Sequence, residues 1–381
     1  MKSPIELYFD NSNIRNIEIL EQCPTMYKQD ERENIEKDVK FEESHGASSI
    51  DSPSITNHAT FETSFILTNS HIMNYYAAYQ RVDLDLPTKR ETFIMSDGGT
   101  ISVNWFELGE YNDDTPTILI LHGLTGGYHE RYVQHFAQYA HQKSGYRSLV
   151  FNYRGCAGNE VTADKIYCAN FLDDLKWVVE WLKQRLPNTK LFLLGFSLGA
   201  SILVNYLSSA GDTSPFVAHC SISNPLDMKK CGDNLKSTMI NQQFYNQSLA
   251  NNLIDLFQRW GNRLDSFATL EQLKKARSIK DVDDMVTSKV HGYKDADDYY
   301  EHASSCNHIE FIKKPTLFIN ARDDPISPGS AIPFSKIKNN PNTILACTKY
   351  GGHLGFMYNL HKNQPSWSDQ ITVEYFNTFL K

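Results

Sequence analysis

The chain has 381 residues, 41% hydrophobic and 12% aromatic, which excludes a disordered tail or a disulfide miniprotein and requires a buried core. Against 37 Lys and Arg stand 45 Asp and Glu, a formal charge of -8, so phosphate neutralisation cannot drive binding and no nucleic-acid partner is expected. The seven cysteines, Cys23, Cys156, Cys168, Cys220, Cys231, Cys306 and Cys347, are scattered and show no C-x-x-C pairing, which argues against a disulfide framework or a zinc site; a reducing compartment, no metal and no cofactor are expected.

Residues 1–60 are rich in charge and small polar residues, as in Lys28 to Glu33 and Ser48 to Ser54, and read as a polar, mobile N-terminal extension. Met1 to Gln22 alternate apolar residues with Asp, Asn, Arg and Glu, and so lack the apolar stretch of a signal peptide. No other stretch approaches the roughly twenty apolar residues of a membrane-spanning helix. The expectation is a soluble cytoplasmic protein whose membrane contact, if any, is loose and peripheral; its oligomeric state is left open.

A catalytic domain is expected over residues 61–381. Arg90 to Met95 and Ile101 to Trp105 alternate around Asp97-Gly98-Gly99, the pattern of a hairpin. Thr117 to Leu121 is a short, continuous apolar run of the kind buried on both faces of a parallel sheet. Tyr132, Val133, Phe136, Tyr139 and Ala140 then recur at helical spacing before a second such strand, Ser148 to Phe151. Leu175, Val178, Val179 and Leu182 mark another helix, with Asp173 and Asp174 at its start, where the helix dipole favours them. Leu191 to Leu194, Val217 to Ile222, Thr316 to Asn320 and Thr343 to Cys347 continue the series. Strands alternating with helices predict an α/β fold, a mostly parallel sheet flanked by helices. Over residues 229–309 the alternation lapses. Tyr245, Leu249, Leu253, Leu256, Phe257 and Trp260 fall on one helical face there, which predicts a helical cap inserted into the sheet.

Gly195-Phe196-Ser197-Leu198-Gly199 follows a buried strand and opens a helix, the context of a nucleophile elbow, in which flanking glycines let strand and helix approach. A serine alcohol is a poor nucleophile, so it needs a neutral imidazole and a carboxylate to orient that imidazole, in the chain order Ser, acid, His. His291, His302, His308 and His353 lie in the right part of the chain, and His353 stands out in the loop Tyr350-Gly351-Gly352-His353, after the last strand. His302 and His308 are read as structural. The turn Arg322-Asp323-Asp324-Pro325 offers two carboxylates; Asp324 is the choice, leaving Asp323 as a cap or ion-pair residue. Oxyanion donors are expected from the backbone N–H of Leu198 and, in the loop His122 to Gly127, of Leu124. His122, at a strand end, is read as a brace.

Six ordered segments resemble a known family: Leu121 to Gly127, Phe151 to Gly155, Gly195 to Gly199, Gly292 to Tyr300 with its Gly-Tyr-Lys and Asp-Asp-Tyr-Tyr signature, Asn320 to Pro328, and Tyr350 to Phe356. Together they are similar to the α/β-hydrolases of the abhydrolase domain-containing one, two and three group, which includes fungal medium-chain ethyl ester synthase/esterases and bacterial esterase-like proteins. The resemblance runs from about Phe61 to the C-terminus. It implies a nucleophile at Ser197, an acid at the second aspartate, Asp324, and a base at His353. It also implies acyl esters of lipids as substrates. Animal members carry an N-terminal membrane anchor, in whose place this chain has its polar stretch. The leading expectation is thus a serine esterase or lipase acting on medium- or long-chain acyl esters of acylglycerol or phospholipid type. The same triad could serve an acyltransferase that passes the acyl group to an alcohol. A non-catalytic binding protein would lack a triad residue, and none is lacking.

Overall fold

The structure, a computed structural model, describes residues 1–28 and 53–381. Among them ten strands form one sheet: β1 Lys2–Phe9, β2 Ile55–Glu62, β3 Thr88–Ile94, β4 Thr100–Phe106, β5 Thr117–Leu121, β6 Arg147–Asn152, β7 Leu191–Phe196, β8 Phe216–Ile222, β9 Thr316–Ala321 and β10 Thr343–Thr348, in the spatial order β2-β1-β10-β9-β8-β7-β5-β6-β4-β3. The six central strands, from β10 to β6, pair in parallel, and the outer pairings are antiparallel. The expected α/β fold is present, with each strand read from the sequence at its place.

Parallel strands need crossovers, so helices cover both faces and the central strands are mostly apolar: every residue of β5, β7, β9 and β10 is buried. The two-residue period of a strand divides these side chains between two cores. Leu119, Leu121, Leu191 and Leu193 pack with Leu175, Val178 and Leu182 of the helix Asp173–Arg185. Ile118, Ile120, Phe192 and Leu194 pack with Val133 and Phe136 of the helix Arg131–Ser144, and with Ile371 and Phe376 of the helix Trp367–Asn377. Gly145, at φ 68°, ends the helix Arg131–Ser144 in the left-handed conformation that glycine adopts without strain.

The N-terminal reading is corrected. Lys2–Phe9 is no extension but a strand of the sheet, paired antiparallel with β10 from Ile5 opposite Thr348 to Phe9 opposite Ile344. Ile5, Leu7 and Phe9 are fully buried, and the charge that disguised the strand is neutralised locally, since Glu6 meets Arg322 at 2.6 Å. The helix Ile14–Glu21 follows, burying Ile19 and Leu20. Of the polar segments singled out above, most of Lys28 to Glu33 and of Ser48 to Ser54 lies outside the described residues. Between β8 and β9 the chain is helical from Met228 to Phe311, with Gln247–Gln258 its longest helix. No helix among the described residues is long and apolar enough to cross a membrane.

Candidate active site

The chain leaves β5 toward β6 on one side and returns to β7 on the other, so the loops after β5 and β7 diverge at a topological switch point, where an open α/β sheet offers a crevice. The loop after β5 carries Gly123 and Leu124, and Ser197 is the residue after β7. Ser197 has φ 51° and ψ −119°, the strained backbone of an elbow, and its N–H is held by the Ile222 carbonyl at 2.9 Å. Such a turn demands bare neighbours. A Cβ on Gly195 would lie 2.5 Å from the Gly199 carbonyl oxygen, and one on Gly199 would lie 2.3 Å from that of Leu121.

The three expected side chains meet. His353 Nε2 is 2.8 Å from Ser197 Oγ, and His353 Nδ1 is 2.8 Å from Asp324 Oδ2. The other Asp324 oxygen accepts the N–H groups of Ile326 at 2.7 Å and Ser327 at 2.9 Å, so this buried carboxylate is an acceptor on both sides. Nδ1 therefore carries the imidazole hydrogen, and Nε2 is left to accept from the serine hydroxyl. Asp323 points elsewhere: its Oδ1 accepts the Gly352 N–H at 3.0 Å, and burial pushes its carboxyl up to about 7.

The N–H groups on either side of Leu124 are occupied, that of Gly123 by the Tyr132 hydroxyl and that of Thr125 by the Tyr167 hydroxyl, each at 2.8 Å. Leu124 and Leu198 line the same cavity as Ser197 and His353. His122 is fully buried, with Nδ1 2.7 Å from the Gly123 carbonyl and its ring 4.1 Å from that of Tyr153. Burial depresses its pKa to about 3, so it stays neutral and braces the loop.

The cavity measures about 470 Å³, and the insertion roofs it with Met228, Leu235 and Leu249. A small, largely apolar recess of about 40 Å³ adjoins it, sharing Leu124, Leu198, Met228 and Ile279 with the main cavity and lined further by Leu253, Phe257 and Asp283. The helical face read in the cap is divided: Phe257 faces the recess, whereas Trp260 donates from its indole N–H to the Ala163 carbonyl at 2.7 Å and stacks on Phe267. Two polar contacts to the His353 loop escaped sequence reasoning. Asn74 sits in the helix Ser70–Tyr75, where no motif marks it, and Ser223 directly follows β8, where its position at a strand's C-terminal end was the available signal.

A family model described as the alpha/beta hydrolase fold matches residues 116–360. An abhydrolase domain-containing protein of Dictyostelium discoideum is 52% identical, over 100% of this chain and 95% of its own length. The monoacylglycerol lipase of Saccharomyces cerevisiae is 36% identical over 64% of this chain and 56% of that protein. Phospholipase ABHD3 of Mus musculus is 33% identical over 75% of this chain and 71% of that protein. With the strand order, the elbow and these likenesses in agreement, the chain belongs to the α/β-hydrolase fold family, in the group of abhydrolase domain-containing proteins.

Proposed function

We propose that this ester hydrolase cleaves a medium- or long-chain acyl ester of acylglycerol or phospholipid type through an acyl-enzyme on Ser197. The observation that carries the reading is the continuous chain of two 2.8 Å contacts, Ser197 to His353 to Asp324, opening on a cavity with an apolar recess. Ser197 Oγ attacks the ester carbonyl carbon while its proton passes to His353 Nε2, and Asp324 steadies the imidazolium that forms. The N–H groups of Leu198 and Leu124 stabilise the oxyanion, a contribution of about 3 kcal/mol for a single donor in such sites. The tetrahedral species collapses as His353 protonates the departing alcohol. Water, deprotonated by the same imidazole, then releases the acid and restores Ser197.

The lipid substrate class is supported by two relatives whose names specify a monoacylglycerol lipase and a phospholipase. The apolar side chains of the main cavity, among them Leu124, Leu198, Met228, Leu235 and Leu249, support an acyl chain as the ligand, since burying methylenes against them yields on the order of 0.8 kcal/mol each. Covalent labelling by a fluorophosphonate and turnover of an acyl-ester panel test the proposal. Ser197→Ala is expected to abolish both, losing several orders of magnitude in rate. Wild-type turnover in that variant would overturn the mechanism.

A further inference from the structure

The loop that carries His353 is held in an unusual way. Three consecutive backbone N–H groups, of Gly352, His353 and Leu354, each donate to a side chain from a different part of the fold: Asp323 Oδ1 at 3.0 Å, Asn74 Oδ1 at 2.7 Å and Ser223 Oγ at 3.1 Å. The loop needs holding, because Gly352, Leu354 and Phe356 have φ of 58°, 62° and 48°, and two of these are not glycine. Asp323 and Ser223 lie just after the ends of β9 and β8. Asn74 does not belong to the sheet's edge: it comes from the helix Ser70–Tyr75, ahead of the segment 116–360 that matches the family.

Asn74 also faces the cap. Its Nδ2 donates to the Tyr245 hydroxyl at 3.2 Å, and that hydroxyl lies 2.9 Å from His71 Nδ1, with the two rings stacked 5.7 Å apart. A backbone N–H can only donate, so the carbonyl end of the amide must face His353 and the NH2 end must face Tyr245. The approach is close: a Cβ on Gly352 would lie 2.1 Å from Asn74 Oδ1. Asn74 is buried, so truncating it takes the acceptor from the His353 N–H and leaves the Tyr245 hydroxyl with His71 alone.

We propose that Asn74 is a positioning residue for the base: it holds the His353 backbone so that Nε2 stays on Ser197, and through Tyr245 it ties that placement to a seated cap. The proposal rests on the reading of Ser197, His353 and Asp324 given above. It acts on the rate of the chemical step, because a displacement of about 1 Å at the base is enough to cost on the order of a hundredfold in rate.

The test uses the full-length protein with p-nitrophenyl butyrate and octanoate, alongside thermal melting. Asn74→Ala is expected to lower kcat by about tenfold to a hundredfold with KM within about twofold. Asn74→Asp retains an acceptor for the His353 N–H and should recover most of that loss, which a merely structural role would not produce. Tyr245→Phe should lower kcat by about threefold or more at unchanged KM. Wild-type kcat in Asn74→Ala, a change confined to KM, or equal losses in the Ala and Asp variants would overturn the proposal. Should Asn74→Ala fail to fold, Tyr245→Phe decides, and wild-type kcat there overturns it. Ser197→Ala in the same assay separates the two readings. If it is inactive beside an unaffected Asn74→Ala, only the positioning role falls; if it retains wild-type turnover, the triad falls and the positioning role with it.

Discussion

Asp323 and Asp324 are adjacent in the chain and serve adjacent residues of one loop: Asp324 takes the imidazole of His353 at 2.8 Å, while Asp323 takes the backbone N–H of Gly352 at 3.0 Å. Asp324→Asn should therefore disable the base, since an amide can present its NH2 to Nδ1 and favour the wrong tautomer, at a cost of about 10⁴ in kcat in a comparable triad. Asp323→Asn keeps an acceptor for Gly352 and should cost far less. Steady-state kinetics of the two variants check the order, and a larger loss at Asp323 would move the acid by one residue.

Gly199→Ala should destabilise the fold rather than alter chemistry alone. The new methyl would stand 2.3 Å from the Leu121 carbonyl oxygen, so the helix Leu198–Ala210 must lift away from β5. Overpacking of this kind costs about 1–3 kcal/mol or more. Thermal melting should show a drop of several degrees, and an unchanged melting temperature would mean that the elbow relaxes freely.

Phe257→Ala and Trp260→Ala should part company. Phe257 lines the recess, so its truncation should lengthen the accessible pocket and raise activity on longer acyl esters relative to short ones. Trp260 is held inside the cap by Ala163 and Phe267, so its truncation should cost about 3–5 kcal/mol of stability with no change in chain-length ratio. Activity ratios across an ester series, read beside melting curves, distinguish the two.

Asp283 gives the cap a pH dependence. It is buried, accepts the Tyr300 hydroxyl at 2.8 Å, and burial pushes its pKa up to about 6 despite hydrogen bonds from Thr287 and Tyr300. The folded pKa lies above the unfolded value near 4, so the stability it contributes is fully present below about pH 4 and is lost as pH rises through about 6. Asp283→Asn removes that titration. The variant should gain on the wild type between about pH 4 and 6, by an amount on the order of 3 kcal/mol, and the gap should stay level above that. Denaturant unfolding at a series of pH values measures it, and a gap independent of pH would show that Asp283 does not titrate in that range.

The central sheet was readable because its strands are buried on both faces and therefore appear as unbroken apolar runs such as Thr117 to Leu121. The site was readable for a related reason: Ser197, Asp324 and His353 each follow a strand in the parallel series, and parallel strands bring their following loops to one edge. What stayed hidden depends on partners distant in the chain. Glu6 reads as a solvated charge until Arg322, 316 residues away, neutralises it. Asn74 reads as an ordinary helix residue until the Gly352 loop, brought in by the tertiary fold, places His353 N–H on it 279 residues away. Trp260 and Phe257 share a helical stripe, and periodicity alone cannot tell which of them meets empty space.

The pairing of β1 with β10 reaches beyond catalysis. β1 lies between β10 and β2, so it covers a row of backbone donors and acceptors on the strand that leads into the His353 loop. A chain trimmed of residues 1–9 would keep Ser197, Asp324 and His353 yet turn β10 into an open edge, a ready template for a second copy. Light scattering of the full and trimmed chains would read this directly, with self-association expected only after trimming. The first nine residues thus cover the strand that delivers the base.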